Sequence, residues 1–208
     1  MGRRAKALLL LLMGLFTAPA FATPLGIQPS APDLSVSFAS VSYDATSHVL
    51  SISGFPATYK DASDVSHPVD GGATFSLTAL IDNSGVLTPS GSSLTISGTI
   101  AALGYNSGTL LAADLTQFGF ATVGDTLEFY ASSTGGDLST SYGAQVGIIV
   151  NSSGYPGSWV SSFSNAFGAT VDVTTPAPAP ATLPLLVLGI AVVGVAGWRR
   201  GRGQRQIA

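Results

Sequence analysis

The chain has 208 residues, of which 9% are charged and 46% are hydrophobic, and it contains no cysteine. The low charged fraction is atypical of a wholly soluble domain, and the missing cysteine excludes disulfides, thiolate metal sites, a cysteine nucleophile and a lipidated cysteine anchor. Seven of the eight basic residues lie in the first six or last ten positions, so the middle carries one lysine against eleven acids, a formal charge of −10. Because such a surface repels phosphate backbones, we expect no nucleic-acid partner.

The first 22 residues have the pattern of a secretory signal peptide. An apolar run covers residues 7–16, and Ala20 and Ala22 form an A-x-A cleavage site. The apolar run is too short to cross a bilayer as a mature helix. Three cations precede it: Arg3, Arg4 and Lys6. We therefore expect Sec-type export, cleavage by signal peptidase before Thr23, and an N-terminal linker over residues 23–32.

The body of the chain, residues 33–174, has the alternation of β-strands. Apolar and polar residues alternate in six places, and turn-forming clusters of Asp, Asn, Ser and Gly lie between them. The alternating runs are Leu34-Val36-Phe38, Leu50-Ile52, Phe75-Leu77, Leu94-Ile96, Leu127-Phe129 and Val171-Val173. This pattern predicts an all-β domain, an antiparallel β-sandwich or barrel of about eight short strands. Val41 and Tyr43 are out of phase with the first run, which predicts a bulge near Ala39-Ser40.

The predicted β-domain contains few residues suited to catalysis. It has two histidines and one glutamate, and neither a G-x-S-x-G elbow nor a metalloprotease, Walker or dinucleotide-binding motif occurs. A Ser-His-Asp enzyme would need His48 or His67. We therefore expect no enzymatic activity and no cofactor, and a secreted hydrolase is the second alternative.

Three aspartates and a histidine recur at every third position in one polar loop, residues 60–72. Converging carboxylates in a loop could bind Ca²⁺, although this spacing is not that of an EF-hand. Runs of charge more often face solvent, so the sequence favours a solvated loop over a metal site. The candidate ligands are Asp61, Asp64 and Asp70, with His67 between them.

Four aromatic residues recur at every fourth position near the end of the body. They are Tyr155, Trp159, Phe163 and Phe167. Such spacing suits one face of a helix, but Pro156 and Gly157 favour core aromatics on bent strands. A sugar-stacking platform is the alternative.

The C-terminal segment has the three parts of a membrane anchor. Residues 175–182 form a Pro/Ala-rich linker, residues 183–198 are uncharged and apolar, and residues 199–208 carry four arginines. Sixteen helical residues rise about 24 Å, close to the hydrocarbon thickness when flanking residues are partly immersed. The arginine cluster belongs in the cytoplasm by the positive-inside rule. The pattern predicts a transmembrane helix with the β-domain outside and a basic tail inside.

This segment resembles the PEP-CTERM sorting signal, which joins a Pro-Glu-Pro motif, one hydrophobic helix and a terminal basic cluster. Ala179 stands where that motif has Glu. The resemblance implies processing by an exosortase-like protease-transpeptidase in a Gram-negative bacterium that makes exopolysaccharide. The β-domain, in FSLTALIDNSG and GTIAALGYNSGTLL, is similar to domains of uncharacterised PEP-CTERM proteins, which implies no activity. The matching positions are Pro178, Ala179, Pro180, Ala181, Thr182, Leu183, Arg199 and Arg200.

Together these features favour an exported structural protein. We expect it first at the inner membrane, with its body outside the cytoplasm, and then at the cell surface or in the extracellular matrix, with exopolysaccharide as a partner. The alternative is an anchored β-domain that binds a carbohydrate or a small apolar ligand.

Overall fold

The computed structural model describes residues 23–106, 108–121 and 125–176. In these residues the chain forms nine strands, a 3₁₀ turn and one short helix, α1. The strands are β1 Asp33–Asp44, β2 Val49–Lys60, β3 Ser66–Pro68, β4 Asp70–Ile81, β5 Leu87–Thr99, β6 Thr109–Phe120, β7 Leu127–Gly135, β8 Gln145–Asn151 and β9 Phe163–Thr174. The 3₁₀ turn is Ala101–Leu103, and α1 is Ser139–Tyr142.

Eight of these strands close into an antiparallel β-barrel. Their order is β1-β2-β4-β5-β6-β7-β8-β9, and β9 pairs back with β1. The short strand β3 pairs with the second half of β2, and β4 continues along the first half. The predicted all-β class is therefore confirmed, and the architecture is a barrel. Six of the eight barrel strands have 12 or 13 residues, longer than the short strands predicted.

The alternation in the sequence corresponds to the inside and outside of this barrel. The inward side chains of β1, such as Leu34 and Val36, are fully buried, as are Leu50 and Ile52 on β2. One continuous cluster of buried side chains contains residues from all eight barrel strands. An eight-stranded barrel is just wide enough for side chains to fill it, so hydrophobic burial inside the barrel explains the period of two.

The predicted bulge in β1 is confirmed, and it changes the orientation of one residue. The register with β2 shifts between Ser37 and Ser40, and the register with β9 shifts on both sides of Ala39. Ala39 is buried as a result, whereas Phe38 is 67% exposed. The assignment of Phe38 to the buried face was wrong, because the extra bulge residue reverses the alternation at that point.

Aromatic side chains close the two ends of the barrel. At one end Trp159, from the β8–β9 connection, is 3% exposed and stacks on Tyr155 with ring centroids 4.6 Å apart. At the other end Tyr142, on α1, is buried and its hydroxyl donates to the carbonyl of Val173 at 3.0 Å. Burial raises the pKa of Tyr142 well above its usual value, so the phenol stays neutral.

The segment that the sequence indicates as a linker packs against the barrel. Residues 23–30, which we call the N-terminal strap, cross the outer face of β6, β7 and β8. The Gly26 N–H donates to Glu128 Oε2 at 2.8 Å, and this carboxylate is buried. A Cβ atom on Gly119 would lie 2.6 Å from the Thr23 carbonyl oxygen. A glycine at this position therefore allows the strap to approach the sheet closely.

Candidate functional site

The acidic loop uses its first carboxylate to build the turn between β2 and β3. Asp61 Oδ1 accepts the N–H groups of Ser63 and Val65 at 2.8 and 3.0 Å, and Oδ2 lies 3.0 Å from His67 Nε2. The hydrogen bond from His67, followed by the one from Val65, lowers the pKa of Asp61. Both oxygens of this candidate ligand are thus committed to local structure.

The other two candidate calcium ligands do not join Asp61. Asp64 is exposed and lies 3.1 Å from Lys60 Nζ, an ion pair of little energetic weight. Asp70 is exposed at the start of β4, opposite Thr99. Across residues 23–106, 108–121 and 125–176, no three His, Asp or Glu side chains are grouped so that they could hold a metal ion.

Neither histidine has the surroundings of a catalytic base. His67 is held by Asp61 and stacks on Tyr59, with ring centroids 6.3 Å apart. His48 lies in the turn after β1 with a φ of 60°, and its carbonyl accepts the N–H of Ile81. In the described ranges no serine hydroxyl hydrogen bonds to either histidine, and His48 Nδ1 is buried without a partner. Among the described residues, the Asp61–His67 pair has no hydroxyl nucleophile hydrogen-bonded to its histidine.

Two neighbouring carboxyl groups, Asp33 and Asp172, were missed by sequence reasoning. They lie on the outer face of adjacent strands β1 and β9, and both are half-buried. Burial, and then the charge of Asp172, raises the pKa of Asp33 to about 6, although Lys60 opposes this. Burial also raises the pKa of Asp172. The sequence analysis singled out neither residue, and no sequence signal shows that the chain around 29–31 packs near Asp33.

The four regularly spaced aromatics separate into two groups. Three of them pack with Tyr43 in the aromatic cluster that closes one end of the barrel, as expected for core aromatics: Tyr155, Trp159 and Phe163. Phe167 is 64% exposed on the outer face, so its assignment to the core was wrong. The physical reason is a register shift in β9, where Phe167 has a φ of 59°.

The outer face of the barrel is the surface left for recognition. The interior is occupied by the core cluster, and the depressions at the surface are open. One is lined by residues 29–31 with Asp33, Lys60 and Asp64, and another by residues 133–135 with Ser139, Thr140 and Gly143. Three phenylalanines are among the exposed large apolar side chains: Phe38, Phe55 and Phe167. Exposed apolar groups that lie together commonly mark an interaction surface.

The predicted processing residues, apart from Thr23, lie outside the described residues. These are the cleavage-site residues Ala20 and Ala22 and the whole sorting motif from Pro178 to Leu183 with Arg199 and Arg200. Thr23 is the first residue described, and it lies against Gly119.

Comparisons of the sequence and the structure with known proteins find no match. No family model matches the chain, and neither the search of curated proteins nor the search of solved structures finds a significant match. In the part of the chain that the structure describes, no helix is long and apolar enough to cross a membrane.

Proposed function

We propose that this chain is an exported surface or extracellular-matrix structural protein, non-enzymatic, and delivered by a C-terminal sorting signal at residues 178–200. The observation that carries the proposal is the filled barrel, with aromatic side chains at both ends. A barrel filled in this way leaves little room for a small apolar ligand and offers its outer surface instead. An acidic, self-repelling surface suits a protein that works outside the cell.

The N-terminal strap is compatible with cleavage after Ala22. Among the described residues, Thr23 lies against Gly119, the Gly26 N–H donates to Glu128, and the Ser30 N–H donates to Thr174 Oγ1 at 2.7 Å. A mature chain that starts at Thr23 keeps these contacts. Removal of residues 1–22 as a signal peptide is compatible with an intact barrel.

Contacts around Thr175 are compatible with processing at residues 178–182. The Thr175 N–H donates to the Pro32 carbonyl at 3.3 Å, and Thr175 O accepts a hydrogen bond from Ser30 Oγ at 2.7 Å. These contacts tie the start of the barrel to its end at a position before the Pro-Ala-Pro motif. Cleavage near residues 178–182 would separate the anchor and leave the barrel complete.

The second candidate function is an anchored domain that binds carbohydrate, and the exposed phenylalanines favour it. A secreted hydrolase has no supporting observation in the described ranges, because neither histidine has a serine partner.

The test is fractionation of the native host that expresses the full chain and two paired variants. We expect the wild-type body in the medium or on the cell surface, and accumulation of uncut protein at the membrane for Arg199→Gln/Arg200→Gln. The control, Arg202→Gln/Arg205→Gln, removes the same charge further along the tail and should be processed normally. Uncut protein that resists external protease in intact spheroplasts would contradict export.

The Ala179 substitution gives an independent test of the sorting signal. Ala179→Glu restores the Pro-Glu-Pro motif, so we expect cleavage at least as complete as in the wild type. Less complete cleavage of Ala179→Glu would count against an exosortase-type enzyme.

A further inference from the structure

Three phenylalanine side chains project from the outer face of the barrel on neighbouring strands. Phe167 lies on β9, Phe38 on β1 and Phe55 on β2, with exposed fractions of 64%, 67% and 55%. None of them belongs to the core cluster. We call these three residues the phenylalanine patch.

The strand register brings the three residues to one height on the barrel. Phe55 is the cross-strand partner of Ser37, the residue before Phe38. On the other side of β1, the Phe167 N–H donates to Ser40 Oγ at 3.1 Å. Because neighbouring strands lie about 4.8 Å apart, the patch spans roughly 10 Å across three strands.

Two of the three residues occupy backbone positions that favour glycine. Phe38 has a φ of 53° and Phe167 a φ of 59°, in the left-handed region where a bulky side chain is strained. The register shifts in β1 and β9 account for these backbone conformations, but core packing does not account for phenylalanine at them, because both rings face solvent. An interaction made by the exposed rings is a physical reason for phenylalanine at these positions.

Two rows of hydroxyl groups lie on one side of the patch. One row crosses four strands through Ser40, Ser53, Ser76 and Thr95, which are consecutive cross-strand partners. A second row runs in the same way through Ser42, Ser51, Thr78 and Ser93. At the strand spacing each row is about 14 Å long. Hydroxyl groups both donate and accept hydrogen bonds, so these rows match a ligand that is itself hydroxylated.

This face is also uncharged between the barrel ends. On β1, β2, β4, β5 and β9 the charged residues lie at or near strand ends: Asp33, Asp44, Lys60, Asp70 and Asp172. The domain as a whole is strongly acidic. An anionic partner would therefore meet long-range repulsion, and it would find no cation beside the phenylalanine patch on these five strands.

The size of the patch argues against a second copy of the chain as its partner. At the observed exposures the three rings offer about 350 Å² of apolar surface. A stable protein interface buries roughly 800 Å² on each side. Sugar rings are smaller, and they present C–H faces that an aromatic face attracts and hydroxyl edges that serine and threonine can bind.

We infer that the phenylalanine patch and its hydroxyl rows bind a neutral hexopyranose polymer, with sugar rings stacked on Phe38, Phe55 and Phe167. The inference rests on the proposed function, because an extracellular glycan is accessible only to an exported domain.

The test is affinity electrophoresis of the full chain in mild detergent, in gels that contain hydroxyethylcellulose, dextran or galactomannan. We expect retardation by at least one of these neutral polymers and none by alginate, a polyuronate. The variant Phe38→Gly/Phe55→Ser/Phe167→Gly should bind at least about tenfold more weakly. Its thermal midpoint should be unchanged or higher, because glycine relieves the strain at two positions.

The matched control removes exposed apolar side chains elsewhere. Val86 and Val160 are 59% and 65% exposed in connections between strands, so Val86→Ser/Val160→Ser should keep wild-type retardation. Absence of retardation in all three neutral polymers, or equal retardation of the triple variant, would overturn the inference. Sedimentation that showed wild-type dimers and triple-variant monomers would assign the patch to self-association instead. These gels do not depend on export, so their result is separable from failure of the proposed function.

Discussion

Replacing Asp33 by asparagine should stabilise the barrel at neutral pH and remove part of its pH dependence. Burial beside Asp172 raises the pKa of Asp33 from 3.8 to about 6, and Oδ1 has no hydrogen-bond partner in the described residues. Because the folded-state pKa is above the unfolded value, the group favours folding below about pH 4. That contribution is lost as the pH rises through 6.

The size of the expected gain in unfolding free energy follows from the same rise in pKa. A rise from 3.8 to about 6 corresponds to about 3 kcal/mol if it is fully expressed. The carboxyl group is only half-buried, so solvent screening reduces the expected gain for Asp33→Asn to about 1 kcal/mol at pH 7.5. The gain should largely disappear at about pH 3.5, where the aspartate of the wild type is mostly protonated in both states.

The assay is urea unfolding followed by near-ultraviolet circular dichroism at a series of pH values between these limits. Asp70→Asn is the control, because it removes the same charge from an exposed position and reports the general self-repulsion of the acidic body. If the Asp33→Asn variant is less stable than the wild type at pH 7.5, or if its gain in unfolding free energy does not change with pH, the ionised Asp33 carboxylate does not destabilise the barrel.

Three further predictions concern the barrel end, the strap and the acidic loop. Trp159→Ala should lower the unfolding free energy by about 3–5 kcal/mol in urea titrations, whereas Trp159→Phe should cost clearly less, because its Nε1 has no partner in the described residues. Equal losses would contradict the packing role. Gly119→Ala should displace the N-terminal strap and speed its cleavage in limited proteolysis, whereas Gly135→Ala, which has open space, should not. Asp61→Asn should accelerate amide exchange at Ser63, and unchanged exchange would show that the carboxylate does not hold the turn.

The strands were predictable because burial on one face imposes a period of two. Leu50 and Ile52, for example, alternate with serines and point into the barrel. Closure was not predictable, because sandwiches and barrels share that alternation. Closure depends on the pairing of β1 with β9, two segments more than a hundred residues apart in the chain.

The outer surface was harder to predict than the core. Phe38 and Phe167 belong to patterns that indicate burial, and only the paired bulges turn them outward. The half-burial of Asp33 was not foreseen, because it depends on packing between β1 and β9, which lie far apart in the sequence. In the acidic loop, Asp61 accepts local N–H groups as turn aspartates do, and Asp64 is exposed.

The most direct test of the proposed export and sorting is peptide-level mass spectrometry of the protein from the surface and medium of its native host. We expect a mature form that begins at Thr23 and ends no later than Thr182. A surface form that keeps residues 1–22, or a membrane form in which peptides from residues 183–198 persist in full amount, would contradict it.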